Sequence, residues 1–228
     1  MGLWLPVGDV IKVDNAKYEP VYAFSHRSES IRREYLELGL AGGRSLEISD
    51  SHMVCVPRNK FVPASTIQVG DELVDGNGSS TKVLSVKKIV RQGAYAPFTP
   101  AGTLVVNGVR ASSFIALQDS ETLKIAGIDT GLTFQFLAHT FERPHRLWCL
   151  HLSNCEEVQY TTEGISLWVD VPHKVARWFL DQNSVVMVVV ALPLLGLFAV
   201  LANPAAACLS SLLAVLVAAR LAVRVKAA

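Results

Sequence analysis

Short apolar runs separated by turn residues dominate the first half of the chain. Segments rich in Val, Ile, Tyr and Thr alternate with Gly, Asp, Asn and Pro, a pattern typical of many short strands. The clearest runs are 10–13, 21–24, 45–48, 53–56, 82–89 and 103–109. One charged stretch, Ser28–Leu38, predicts either a helix or a loop leading into a strand. Residues 1–118 are therefore expected to form a mainly β domain.

One short pattern occurs twice in this domain. Pro6–Ile11 reads Pro-Val-Gly-Asp-Val-Ile, and Gln68–Leu73 reads Gln-Val-Gly-Asp-Glu-Leu, 62 residues later. A Gly-Asp pair between apolar positions predicts a tight turn, because Gly adopts positive φ readily and Asp bonds to nearby backbone. Two such turns suggest a duplicated β subdomain.

The C-terminal part follows other patterns. Residues 119–181 are mixed in character, and a short amphipathic helix is predicted over 174–180, with two aromatic side chains suited to a membrane surface. Residues 185–219 then contain no charged side chain. About 20 apolar residues cross the hydrocarbon core of a bilayer, so residues 182–228 are expected to form C-terminal hydrophobic (transmembrane) helices.

The uncharged stretch allows two membrane arrangements. Asn203-Pro204 interrupts it, which fits a helical hairpin, and one crossing followed by an interfacial segment fits as well. Basic residues at Arg220, Arg224 and Lys226 favour a cytosolic C-terminus. A hairpin would then place the β domain in the cytosol, and a single crossing would place it in a lumen. In both arrangements the location is a membrane, with lipid as a partner.

Composition and charge narrow the functional classes. The 21 basic and 20 acidic residues nearly cancel, so no positive field indicates a nucleic-acid partner. The 4 cysteines are too few and too scattered to form a disulfide framework. No nucleic acid and no cofactor are expected.

The most specific pattern lies in Arg91–Phe114. It contains Gly-Ala-Tyr-Ala-Pro-Phe-Thr, then Gly-Thr with an apolar run, then Ala-Ser-Ser-Phe. This order resembles the signature of the hedgehog-type Hint (Hog) autoprocessing domain. Leu46–Val54 and Tyr22–Arg27 resemble two further blocks of that family, and Arg177–Asp181 resembles its closing block.

The resemblance covers about residues 3–181 and implies a fold. Hint domains form a pseudo-twofold horseshoe of short strands, which agrees with the two Gly-Asp turns. By this comparison, 1–118 would be a Hint-like β domain lacking its first strands, and 119–181 would be a segment resembling the region after the Hint domain of hedgehogs.

The resemblance also implies a reaction. In this family a cysteine at the start of the domain attacks the preceding carbonyl and turns an amide into a thioester, which a second nucleophile then cleaves. His52 matches the histidine that protonates the departing amide nitrogen, and Ser49 keeps the hydroxyl of a neighbouring threonine. His26 stands where sterol-using members carry an aspartate that serves as a base, so a sterol acceptor is in doubt and water or another acceptor is favoured.

Two departures from the family concern sulfur. Ser113 replaces the cysteine of the Ala-Ser-Cys block, and no cysteine precedes the first Gly-Asp turn. Cys55 is expected to be a packed core residue. This sequence would therefore be inactive by itself: either it is truncated, with the upstream segment of its own precursor as partner, or it is a degenerate binding or anchoring module.

A second group of residues falls within one short region. It consists of His139, His145, Cys149, His151 and Cys155. Their spacing matches no recognised zinc motif, and we expect no metal there. A disulfide between the two cysteines and a zinc site are the alternatives.

Overall fold

A computed structural model describes residues 5–153, 155 and 159–183, together with 186, 187, 189, 190, 197, 200 and 203. Most of the strands are short, as predicted. In this part of the chain they are β1 (Val10–Asp14), β2 (Lys17–Pro20), β3 (Ala23–Leu40), β4 (Ser45–Ile48), β5 (His52–Val56), β6 (Lys60–Pro63), β7 (Glu72–Val74), β8 (Ser80–Phe98), β9 (Thr103–Val106), β10 (Val109–Ile115), β11 (Thr122–Ile125) and β12 (Ile128–Thr133). The mainly β fold is confirmed.

The two Gly-Asp turns have the same hydrogen bonds. The amide of Gly8 donates to the carbonyl of Val21 at 2.8 Å, and the amide of Val21 donates to the carbonyl of Asp9 at 2.8 Å. In the second copy, the amide of Gly70 donates to the carbonyl of Val83 at 2.9 Å, and the amide of Val83 donates to Asp71 at 2.8 Å. Both glycines have positive φ, at 96° and 102°.

Strand register repeats as well. The pairs between β1 and β2 are Val10 with Pro20 and Ile11 with Glu19. The pairs between β7 and β8 are Glu72 with Lys82 and Leu73 with Thr81, each shifted by the same number of residues from the first set. The hypothesis of a duplicated β unit is therefore confirmed in the backbone.

The stretch Ser28–Leu38 lies inside β3, so the predicted helix or loop is wrong. Here β3 pairs with β8 as an exposed antiparallel ribbon, and charged side chains meet across it. Lys88 lies 2.7 Å from Glu34, and Arg91 lies 2.8 Å from Glu47 on β4. Since most of this stretch is accessible to water, its charges reflect exposure of the strand.

Two sheets of four strands share the core. Their strand orders are β4-β3-β8-β7 and β6-β5-β10-β9. One cluster of buried side chains draws on both sheets, and Leu38, Leu73, Val83 and Val109 are among its fully buried members. A second cluster, around Phe98, joins the ends of β3, β8 and β10 to the helical region.

Three helices follow the β12 hairpin within residues 134–180. They are α1 (Phe134–Phe141), α2 (Arg143–His151) and α3 (Leu167–Leu180). The predicted helix over 174–180 is confirmed and begins one to two turns earlier. The predicted membrane segment 185–219 lies almost wholly outside the described residues. Among those that are described, we find no helix with the length and apolarity needed to cross a membrane.

Candidate functional site

A tight turn positions Ser49 against His52. The amide of His52 donates to the carbonyl of Ser49 at 3.2 Å, which closes the turn before β5 begins at His52. The Ser49 hydroxyl then lies 2.5 Å from Nδ1 of the imidazole. A hydroxyl can donate to this nitrogen or accept from it, so the contact fixes the ring and is compatible with either tautomer.

The pKa of His52 is strongly lowered, to about 4, first by burial and then by the repulsion that a protonated His26 would exert. The imidazole is therefore neutral near pH 7. Because the charge of one ring affects the other, both histidines belong to one electrostatic environment. Ser49 and His52 are thus in contact, and His26 lies close enough for its charge to act on His52.

His26 is held by a backbone carbonyl. Its Nε2 lies 2.8 Å from the carbonyl oxygen of Glu163. A carbonyl can only accept, so Nε2 carries the proton and Nδ1 of the neutral ring has a free lone pair. Burial lowers the pKa of His26, and so does the cation of Arg33, although the Glu163 carbonyl raises it. The neutral His26 ring that results can act as a base through Nδ1.

The segment that supplies this carbonyl pairs with the edge of β3. The amide of Arg27 donates to the carbonyl of Gly164 at 2.8 Å, and the amide of Ser166 donates to Ser25 at 2.9 Å. Gly164 has a φ of +80°, and a Cβ added there would lie 2.5 Å from the carbonyl oxygen of Arg27. Only glycine allows this close approach. This segment was not predicted from the sequence, although Glu163-Gly164 is a turn pattern that signals it.

Ser113 lies in β10 close to this site. In that strand Ile115 pairs with His52. Ser113 is 2% exposed, and its Oγ has no hydrogen-bond partner among the residues that the structure describes. A buried hydroxyl without a partner is uncommon and costs free energy of folding. The Ser113 hydroxyl is therefore a buried polar group next to the pairing of β10 with β5.

A family model described as the Hint module matches residues 5–181, which is more than half of the chain. The chain belongs to the Hint family. The family resemblance noted from Arg91–Phe114 is confirmed at this level. The division of the Hint region at residue 118 stays a prediction.

Several curated proteins are similar to this Hint chain. Warthog protein 6 from Caenorhabditis elegans is 31% identical over 121 residues, which are 47% of this chain and 20% of that protein. The hedgehog protein from Drosophila ananassae is 28% identical over 138 residues, which are 54% of this chain and 29% of that protein. The match thus covers less than a third of each relative.

Solved structures of inteins are also similar. The gp41-1 intein has a TM-score of 0.39 at 16% identity, with 46% of this chain and 80% of the intein covered. An intein-like domain from Clostridium thermocellum has a TM-score of 0.36 at 22% identity, with 47% of this chain and 83% of that domain covered.

Within the second group, His145, Cys149 and Cys155 come together in the Hint structure, whereas His139 and His151 do not join them. His139 Nε2 lies 3.1 Å from the carbonyl oxygen of Pro100, and His151 is exposed. Cys149 and Cys155 form a disulfide, with a Cα–Cα distance of 5.3 Å. The sequence left a disulfide between these cysteines open as an alternative, and the structure contains it. The chain turns back at the end of α2, which brings the two within reach of each other.

A buried carboxylate next to the disulfide was not predicted. Glu142 is 2% exposed and accepts hydrogen bonds from the Tyr22 hydroxyl at 3.1 Å and from Trp168 Nε1 at 2.7 Å. Its other contact is Nδ1 of His145. Burial raises the pKa of Tyr22, and the charge of Glu142 raises it further. These contacts tie the three helices to the end of β3.

Proposed function

We propose that this chain is the acid–base part of an autoprocessing Hint domain, acting on a peptide bond of its own precursor. The Ser49–His52 contact beside His26 is the observation that carries the proposal. Two neutral imidazoles, one bonded to Ser49 and the other to the Glu163 carbonyl, can take up and pass on the protons that two-step cleavage moves. The attacking cysteine would be supplied by the upstream segment of the precursor.

In the first step the upstream thiolate attacks the carbonyl carbon of the residue before it. A carbon–sulfur bond forms, the carbon–nitrogen bond breaks, and the departing nitrogen takes a proton. His52 supplies that proton: with its Nδ1–H donating to Ser49, Nε2 of the neutral ring takes up the proton that the attacking thiol loses and passes it to the departing nitrogen. Its pKa of about 4 makes the imidazolium a strong proton donor to an amine that is leaving.

In the second step a nucleophile cleaves the thioester. Nδ1 of His26 has the free lone pair and accepts the proton of water or of an alcohol as the oxygen attacks. The new carbon–oxygen bond replaces the carbon–sulfur bond, and the thiol is regenerated. An imidazole in place of the aspartate of sterol-using relatives favours water as the acceptor.

We also propose that the domain is tethered to a membrane. Val171, Val175 and Trp178 form a stripe along α3 at helical spacing, and each is more than half exposed. Exposed apolar side chains in such a stripe favour an interface with lipid, and Trp is common at headgroup depth. The uncharged residues 185–219 follow a few residues after this helix.

The test is a precursor that carries a tag, a Cys-Phe start and this chain in order, followed on gels. His52→Ala should abolish release of the tag. His26→Ala should leave thioester formation intact, so that added hydroxylamine still releases the tag while release by water slows about 10²-fold or more. His151→Ala, an exposed histidine, is the matched control and should behave as wild type. Equal release by His52→Ala and wild type would contradict the proposal.

One observation favours a non-catalytic Hint-derived binding or anchoring module. Cys55 is the free cysteine of the described residues, it is buried, and burial raises the pKa of its thiol against the opposing effect of Arg110. Such a thiol is a poor nucleophile. The module would hold its partner without cleavage, and an intact precursor in the experiment above would support it.

A further inference from the structure

Helix α2 and the segment that follows it bring together three groups that ligate soft metal ions. One ring nitrogen of His145 and the sulfur atoms of Cys149 and Cys155 lie within 4.8 Å of one another. Tetrahedral zinc needs ligand atoms roughly 3.5–3.8 Å apart, given Zn–S and Zn–N bonds of about 2.3 and 2.0 Å. Small shifts of side chains would therefore suffice.

We propose that reduction of the Cys149–Cys155 disulfide converts this place into a zinc site. A dithiol reductant supplies two electrons and two protons, the sulfur–sulfur bond breaks, and the reductant leaves as its own disulfide. Zinc then binds both sulfur atoms as thiolates and displaces two protons to solvent. His145 supplies the third ligand, and a water molecule takes the fourth position.

The local secondary structure favours these ligands. His145 and Cys149 are one helical turn apart in α2, so their side chains lie on the same face of the helix. Cys155 comes from the chain that follows the helix. A ligand pair on a helix plus a third ligand on a flanking segment is a common way to build a zinc site.

The imidazole is already oriented for ligation. Nδ1 of His145 contacts the Glu142 carboxylate, which leaves Nε2 for the metal. The ring also stacks on Trp168, with centroids 4.9 Å apart. A carboxylate behind a metal-binding histidine fixes its tautomer and raises its basicity, and such partners affect zinc affinity 10- to 100-fold. Glu142 is itself held by Tyr22 and Trp168.

The charge of the ligands and the accessibility of the cysteines also favour a zinc site. Two thiolates neutralise Zn²⁺, so the site adds no net charge next to the buried carboxylate of Glu142. Both cysteines are partly buried, and Cys149 lines an open cavity of about 520 Å³ together with Val21 and Tyr22. Reductant, zinc and water can therefore reach Cys149 through this cavity.

The test uses the full chain in detergent, with and without a phosphine reductant, titrated with zinc against a chromophoric competitor. The reduced wild-type chain should bind one zinc ion, and the oxidised chain should bind at least tenfold more weakly. Cys155→Ser should lose at least tenfold in affinity under reduction. Cys55→Ala removes the free cysteine found among the described residues and is the matched control, with the affinity of wild type.

Cobalt(II) provides a readout that needs no variant. The reduced wild-type chain should show a sulfur-to-cobalt charge-transfer band of two thiolates and the visible bands of tetrahedral geometry, and both should be absent from the oxidised chain. Equal zinc uptake by the reduced and oxidised chains would overturn the proposal, and so would the absence of the charge-transfer band from the reduced chain. The disulfide would then be a structural cross-link only.

Discussion

The Ser49 hydroxyl and Nδ1 of His52 are 2.5 Å apart, across a turn that the backbone of the same two residues closes. The side-chain contact and the backbone contact therefore restrain one ring from two sides. The ring is also kept neutral, since burial and His26 lower its pKa to about 4. A fixed neutral imidazole has consequences for stability that can be measured without any cleavage reaction.

The free energy of unfolding should fall as the pH falls from 6.5 to 4. In this window the unfolded chain protonates His52 near its ordinary pKa of 6.5, whereas the folded chain does not until about pH 4. The unfolded state then binds more protons, so stability rises with pH, by about 1.4 kcal/mol per pH unit at most for one group. Urea denaturation at several pH values measures the slope.

His52→Gln identifies the source of this slope. His26 and His139 also have lowered pKa values and contribute to the same window, because burial acts on each of them. His52→Gln should keep the part of the pH dependence that His26 and His139 contribute and lose the part that His52 contributes. An unchanged slope in His52→Gln would show that the imidazole at this position is not responsible.

Gly164→Ala should destabilise the protein more than Gly127→Ala. Both glycines have φ near +80°, so both substitutions introduce similar backbone strain of about 1–2 kcal/mol. At Gly127 the added Cβ meets no atom within 4 Å, whereas at Gly164 it meets Arg27 at 2.5 Å. We expect roughly 1–3 kcal/mol of extra cost at Gly164. Thermal unfolding measures it, and equal costs would argue against the close approach.

Nitrogen NMR of the histidines tests the same segment. In the wild-type chain the proton of His26 should be on Nε2, because the Glu163 carbonyl accepts it. Gly164→Ala displaces that carbonyl, so the signal should shift toward a mixture of tautomers. Gly127→Ala should leave the signal as it is in wild type.

Gly8→Ala and Gly70→Ala should destabilise the protein to a similar degree. Their φ values are 96° and 102°, and neither added Cβ would meet an atom within 4 Å. Each substitution should cost about 1–2 kcal/mol through backbone strain alone. Urea denaturation of the two variants measures the costs, and a difference above about 1 kcal/mol would mean that the two turns are not equivalent.

Trp168→Phe should cost about 1.5–3 kcal/mol, because it removes a hydrogen bond to the buried carboxylate of Glu142. Trp178→Phe is the matched control, since Trp178 is 54% exposed and belongs to the apolar stripe of α3. That change should stay within about 0.5 kcal/mol. Chemical denaturation of both variants decides whether the Glu142 contacts contribute to stability.

Sequence patterns could predict the features that depend on neighbours along the chain. The Gly-Asp turns follow from glycine and aspartate chemistry, and Ser49 and His52 are only three residues apart. The helix or loop predicted over Ser28–Leu38 was wrong because charged residues suit an exposed ribbon as well as a helix. Only the partner strand, 48 to 66 residues away in the chain, distinguishes the two.

Long-range contacts explain what was missed at the site. The carbonyl that holds His26 belongs to Glu163, 137 residues away, and no local pattern connects them. Likewise Glu142 looks like an ordinary exposed acid until Tyr22 and Trp168 enclose it. Burial of a charge depends on the tertiary structure, so it could not be read from the chain.

The pairing of β3 with β8 runs from Ala23 with Phe98 to Leu40 with Val83. The longest strand of each duplicated unit, β3 in one and β8 in the other, therefore forms its backbone hydrogen bonds with the other unit. Residues far apart in the chain must meet before these backbone groups are satisfied, and such non-local closure slows folding. The symmetry that makes the two units alike also makes them depend on each other, so we expect them to fold and unfold in a single cooperative step.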